Sequence, residues 1–244
     1  MSIPFSAKRA NASLTRQWVY SLVYLSAVVV WITVSPLSAV AAGTLRIYLA
    51  RHGETDWNAQ RRIQGQTDTP LNAKGRQQAA KLAELLKGIR LDMVYTSSLR
   101  RSRDTAEIAL GGVPVKSLPG LNERHHGKFE GKLVDDSEPA AQQEFRRRRG
   151  VADDDLDGGE TLNQFYDRVR DTFNTIRSQH DSGAILIVGH FITNQMILRA
   201  LLGLTLQQAM TIRQANNELY LIELDAGNPP RLWKRITEAN LSDL

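Results

Sequence analysis

From Thr44 onward, short apolar runs alternate with amphipathic stretches. This alternation restricts the chain to an α/β fold, because strands that read as unbroken apolar runs need helices covering both faces of a largely parallel sheet. AILIVG (184–189) is the most uniformly apolar run after residue 43 and is predicted as the central buried strand. LRIYLA (45–50), DMVYTS (92–97) and PVKSL (114–118) supply further strands, and ELYLIEL with RLWKRI closes the sheet with an antiparallel edge. Helices are predicted from Ala73, capped by Asn72 and ended by Gly88, over RRSRDTAEIAL (100–110), from Thr161 to Gln179, and over FITNQMILRALLG. Between them lies a polar region without clear strands, holding RRRR (146–149) and DDDLDGGE (153–160). The chain contains no internal repeat, and 244 residues suffice for one globular core.

In open α/β sheets, ligands bind beyond the carboxyl ends of the strands, so the polar residues found there come first. Arg51, His52 and Gly53 follow the first strand, Arg101 the second, Glu123 the third, and His190 follows AILIVG. Two guanidinium forks suit a phosphate dianion. An imidazole can attack phosphorus and divide one displacement into two easier steps. A carboxyl of raised pKa can protonate the departing alkoxide and later deprotonate water. The second imidazole, if protonated, adds positive charge where the phosphoryl group transfers. The scheme requires no metal and no cofactor.

The segment LARHGETDWNAQRRIQGQTDTPLNAKG resembles the signature of the histidine phosphatase superfamily, also called the phosphoglycerate mutase-like family. SSLRRSRDTAE is similar to its second arginine segment, LNERHHGKFEG to its acid loop, GGETLNQFYDRV to the following helix, and VGHFITNQMILRALLG to its second histidine segment. These segments span residues 44–225 in order. The resemblance implies a three-layer α/β/α sandwich with a mostly parallel central sheet. It further implies His52 as the phosphorylated nucleophile, Arg51, Arg101 and His190 as holders of the phosphoryl group, and Glu123 as proton donor. Arg101 rather than Arg100 is chosen because the family places the arginine four residues before a Thr-Ala pair, here Thr105 and Ala106. Asn58 matches a phosphate-contacting asparagine, Gln64 and Gly65 a pocket-lining pair, and Glu160 a structural or rim position. Phe191 departs from the glycine that many members carry after the second histidine, and the segment between Glu130 and Gly158 matches poorly.

Other readings compete. His190 could merely cap the next helix, and Glu130 lies close enough to Glu123 to rival it as the acid. His125 and His126 are expected at the rim, and His180 on the surface near a helix C-terminus. The four arginines at 146–149 would point around most of a helix and form no single patch, so a solvated segment is expected, with one or two reaching a second anionic group of the substrate. Asp153, Asp155, Asp157 and Gly158 imitate the start of a calcium loop, but the position needing a bidentate acid is Gln164.

With no cysteine, disulfides, a thiol nucleophile and cysteine-bound zinc are excluded. The net charge of +5 is no argument for nucleic acid, since Lys8, Arg9 and Arg16 lie in an N-terminal segment without acids, and the remainder carries 28 basic against 26 acidic residues. The same three charges precede a charge-free stretch from Gln17 to Gly43, with Pro36 and then LSAVAAG. Residues 1–42 therefore read as a secretory signal, with an uncleaved anchor attaching residues 17–42 to a membrane as the alternative. Either places the 43–244 domain outside the cytoplasm, in the periplasm or at the outer side of a membrane. The leading expectation is a phosphomonoester hydrolase acting on a small phosphorylated substrate. Its alternatives are phosphoglycerate mutase-type transfer and a non-catalytic module that binds phosphorylated ligands.

Overall fold

The computed structural model describes residues 43–133, 139–225 and 227–236. The chain divides into two units, Met1–Ala39 and Val40–Leu244, and every described residue belongs to the second. The expected signal or anchor at 1–42 lies outside the described residues. Among those described, no helix is long and apolar enough to cross a membrane.

Six strands, β1 (Leu45–Arg51), β2 (Met93–Thr96), β3 (Val115–Ser117), β4 (Gly183–Gly189), β5 (Leu219–Leu224) and β6 (Arg231–Ile236), form one sheet in the order β3-β2-β4-β1-β5-β6. β4 runs parallel to both β1 and β2, and β3 parallel to β2, while β5 and β6 are antiparallel. The strand with the longest apolar run thus occupies the middle, as its composition requires. Period-two alternation sorts its side chains: Ile185 and Ile187 join Ile47, Leu49 and Ile222 on one face, while Leu186 and Val188 join Tyr48, Ala50 and Val94 on the other.

The described residues form seven α-helices: α1 (Asp56–Ala59), α2 (Ala73–Leu85), α3 (Arg100–Leu110), α4 (Pro139–Arg148), α5 (Leu162–Arg177), α6 (Phe191–Leu202) and α7 (Leu206–Thr211). Phe165, Val169, Phe173 and Ile176 of α5 and Met196 and Ile197 of α6 cover the first face. Leu82 and Leu85 of α2 and Ala106 and Ala109 of α3 cover the second. The Asn72 side chain accepts from Gly75 N, and Gly203 ends α6 in the left-handed conformation.

The polar region read as lacking clear strands contains α4, which packs Phe145 against Ile63, Phe129 and Leu156 in a small separate core. The arginine run does not act as one unit. Arg148 bridges Asp154 and Asp157, and Arg149 lies over the Phe145 ring. The second of these bridges occupies Asp157 of the calcium-like segment; Asp155 accepts from the amides of Asp157 and Gly158, and Asp153 from Asn163.

Candidate active site

The carboxyl ends of β1, β2 and β4 bring the expected residues together. Arg51, His52, Asn58, Gln64, Arg101 and Glu123 line a cleft of about 290 Å³, joined by Arg62, His126, Phe191 and Ile192. His190 is fully buried behind them, its ring centroid 5.0 Å from that of His52.

His52 leaves β1 through a hydrogen bond from its amide to Gly189 O. Its Nδ1 lies 2.8 Å from Gly53 O, and a carbonyl can only accept, so Nδ1 carries the proton and Nε2 keeps its lone pair. Burial, then the Arg101 and Arg51 guanidinium groups, hold its pKa well below the usual imidazole range. The ring is neutral at physiological pH, the state a nucleophile needs. Gly53 is required for close packing: a Cβ there would stand 2.4 Å from Gly75 O at the start of α2.

Arg101 is completely buried, donating to Gly65 O (2.6 Å) and Thr67 O (3.0 Å), whereas Arg100 is exposed and paired with Asp104. Burial lowers the pKa of Arg101 to about 10, opposed by Glu123, so it stays charged. Arg51 donates to Gln214 O and stacks on Phe191. Nε of Arg51, Nε of Arg101 and Nδ1 of His190 are all buried without a partner among the described residues. Orphaned donors of this kind are rare in folded proteins, and a tetrahedral oxyanion would satisfy them.

His190 occupies the position preceding α6, yet its side chain caps nothing. Its Nε2 is 2.7 Å from Ser97 Oγ, which itself accepts from Leu99 N. Ser97 Oγ keeps one proton and one lone pair for Nε2, and with the hydroxyl donating, His190 carries its own proton on the unpaired Nδ1. Burial, Arg101 and His52 push its pKa well below 6.5. The charge that the second histidine would add if protonated is absent without a bound dianion, where the ring is neutral and offers an N–H.

Glu123 is buried at the start of α6, where Oε2 accepts from Ile192 N and Oε1 from Thr193 N. Burial raises its pKa despite the amides of Ile192 and Arg124 and the nearby arginines. Glu130 differs: burial opposes ionisation, but the Thr67 hydroxyl and the amides of Gln66, His126 and Thr67 outweigh it and lower the pKa. Glu130 thereby fastens the 65–67 loop to the acid loop and has no free edge for proton donation.

Asn58 reaches the cleft while its Oδ1 caps α1 at Thr55 N and its Nδ2 donates to Gln64. Gly65 does not line the cleft. Its carbonyl holds Arg101, and a Cβ would stand 2.1 Å from Glu130 Oε1, so its role is close backbone packing. Glu160 is structural: it grips Arg168, which in turn donates to the carbonyls of Gly120 and Asn122 and so secures the loop bearing Glu123. His126, expected at the rim, is only 3% exposed, whereas His125 is half-buried. His180 is half-buried and bonds Tyr95 Oη. Arg149 does not line the cleft, so no arginine of the 146–149 run reaches it.

Sequence reasoning missed Ser97 and Gln214. Ser97 ends the second strand at the same rim as the other site residues, which is a usable signal. Gln214 carries none, being fixed by contacts to Leu49 O and Asn194 from the far end of the chain.

Residues 47–235 match the model of the histidine phosphatase superfamily (branch 1). The chain is 36% identical over 183 residues to the probable phosphoglycerate mutase GpmB of Serratia proteamaculans, covering 73% of this chain and 85% of that one. Among solved structures it resembles a putative alpha-ribazole-5'-P phosphatase from Escherichia coli (TM-score 0.70, 25% identity, 79% of this chain and 96% of that one). It also resembles YhfR of Bacillus stearothermophilus (TM-score 0.67, 31% identity, 77% and 95%). A mycobacterial glucosyl-3-phosphoglycerate phosphatase has the same fold (TM-score 0.66, 26% identity, 74% and 90%). The chain belongs to the histidine phosphatase superfamily.

Proposed function

We propose that the protein hydrolyses small phosphomonoesters through a phosphohistidine at His52. The observation that carries this reading is the approach of the His52 and His190 rings to 5.0 Å beside a cleft lined by Arg51, Arg101 and Glu123. Arg51 and Arg101 bind the phosphate dianion, with Asn58, Gln64 and the Nδ1–H of His190 supporting it. Nε2 of His52 attacks phosphorus as the P–O ester bond breaks, and Glu123 gives its proton to the departing alkoxide. Water then loses a proton to Glu123 and attacks phosphorus. The P–N bond breaks, and inorganic phosphate leaves with His52 neutral again. No step in this scheme uses a metal.

Phosphoglycerate mutase-type transfer is the second reading, favoured by the 36% identical relative named a probable phosphoglycerate mutase. Mixing the protein with p-nitrophenyl phosphate, with and without a chelator, beside His52→Ala, tests the first. Turnover should survive chelation and vanish in the variant, and label trapped on the protein from a 32P-labelled ester should be stable in base and released by acid, as a phosphohistidine is. Transfer between positions of phosphoglycerate faster than phosphate release would favour the second. Equal inactivity of both proteins on aryl and natural esters would favour a binding module.

Export belongs to the same reading, supported by the basic residues 8, 9 and 16 ahead of a charge-free stretch. The mass of the N-terminus from an expressing cell distinguishes a cleaved signal from an anchor.

A further inference from the structure

The segment joining α7 to β5, residues 212–218, touches both functional residues at the end of β1. Gln214 O accepts from Nη1 of Arg51 at 3.1 Å, and Asn216 Nδ2 donates to His52 O. Buried side chains pin the segment in turn: Gln195 Nε2 donates to Ile212 O at 2.8 Å, and Tyr220 Oη to Arg213 O at 2.8 Å. Gln214 itself is only 4% exposed. Its Nε2 donates to Leu49 O (2.8 Å) and Glu218 O (3.1 Å), and its Oε1 accepts from Asn194 Nδ2 (2.7 Å). Asn194 lies one turn beyond His190 on α6 and also donates to Ala50 O at 3.0 Å. The buried pair of amides thus ties the last residues of β1, which lead into Arg51 and His52, to the helix that begins after His190.

We propose that Gln214 is a positioning residue: its rooted side chain holds its own carbonyl against Nη1 of Arg51 and so sets the plane of that guanidinium before the phosphate dianion arrives. This rests on the phosphomonoesterase reading above. A guanidinium is a planar fork, and it grips a phosphate well only in the orientation that points two N–H groups at the oxygens. Here two contacts fix the plane, the carbonyl at one nitrogen and the Phe191 ring 5.2 Å from Cζ. A long side chain otherwise loses much rotamer freedom when it closes on an anion, and holding it beforehand removes that part of the binding penalty. The carbonyl can do this only while the Gln214 backbone stays in place, and the bonds of its side chain to Leu49, Glu218 and Asn194 keep it there.

A double-mutant cycle on the full-length protein tests this. Binding of inorganic phosphate by titration calorimetry and kcat/KM for p-nitrophenyl phosphate are measured for wild type, Gln214→Met, Arg51→Lys and the double variant, with thermal unfolding to verify that each is folded. Methionine keeps the length of glutamine and makes none of its bonds; lysine keeps the charge of Arg51 but has no planar fork to orient. Gln214→Met should weaken phosphate binding and lower kcat/KM by roughly tenfold each. In the Arg51→Lys background the same substitution should change either by less than about twofold. Equal losses in both backgrounds, or a fall in Tm with binding and kinetics unchanged, would overturn the assignment in favour of a purely structural role. Asn194→Ala, which removes the partner of Gln214 Oε1, supplies the same cycle if Gln214→Met does not fold, and failure of both to fold would also overturn it. A wild type that binds phosphate but hydrolyses no ester would instead refute the phosphomonoesterase reading, while the binding cycle still decides the role of Gln214.

Discussion

Replacing Ser97 by alanine tests how the site controls its second histidine. The Ser97 hydroxyl reaches His190 Nε2 at 2.7 Å and, by donating to it, would hold the proton of His190 on Nδ1. The ring is completely buried, so no water takes the place of the hydroxyl. Leaving a buried acceptor without its donor costs about 1–3 kcal/mol. The ring can escape that cost only by moving its proton to Nε2 or by rotating, and both remove the N–H from the phosphoryl group. The loss therefore falls on the transition state, where charge on the transferring oxygens makes the bond strongest. At about 1.4 kcal/mol per factor of ten, kcat should drop roughly 5- to 140-fold, with a smaller change in KM. Leu99 N also loses its acceptor, so a modest fall in Tm is expected beside the kinetic effect. Steady-state hydrolysis of p-nitrophenyl phosphate by a folded Ser97→Ala protein is the assay. A kcat within twofold of wild type would refute the tautomer argument, and with it the assignment of His190 as a donor.

Gly53→Ala drives a Cβ to within 2.4 Å of Gly75 O, so Tm should fall by the equivalent of about 1–3 kcal/mol, and turnover should fall with it because His52 is adjacent. Glu123 acts as acid only while protonated, and its raised pKa extends that form upward from the usual carboxyl range, while neutral His52 persists far below pH 6.5. Turnover of alkyl esters should decline as pH rises through the pKa of Glu123. Glu123→Gln should remove that limb from the pH–rate profile and slow alkyl esters by roughly 100-fold or more, aryl esters much less. His126 has a folded pKa of about 3, below the unfolded value, so its stabilisation is present above pH 6.5 and lost as pH falls. At pH 5 that loss is about 2 kcal/mol. Tm measured at pH 7.5 and pH 5 should therefore differ less in His126→Phe than in wild type, and an equal difference would place the imidazole in solvent.

What could be read from the sequence follows the range of the forces involved. β4 was legible because a strand buried on both faces must be apolar at every position, β1 because only Arg46 interrupts its apolar run, and Arg51, His52 and His190 because each ends or directly follows such a strand. Residues that end strands cannot move far from the sheet rim, so linear position fixes spatial position. The acid loop obeys no such rule. It is held by Arg124, whose guanidinium donates to the carbonyls of Arg149, Asp154 and Glu160, and by Arg168, which holds Gly120 and Asn122. Side chain to carbonyl bonds spanning 25 to 48 residues leave no periodic trace. Adjacent histidines could for that reason not be ranked: His125 faces outward beside Glu130 and His126 inward onto Phe145, though nothing in HHG distinguishes them. The arginine run misleads for the same cause, because Arg148 is set by Asp154 and Asp157 and not by its neighbours. The phosphate end of the site is therefore written by strand ends, which the sequence displays. The alcohol end is written by a loop whose shape only tertiary contacts determine, and selection among substrates must be sought there.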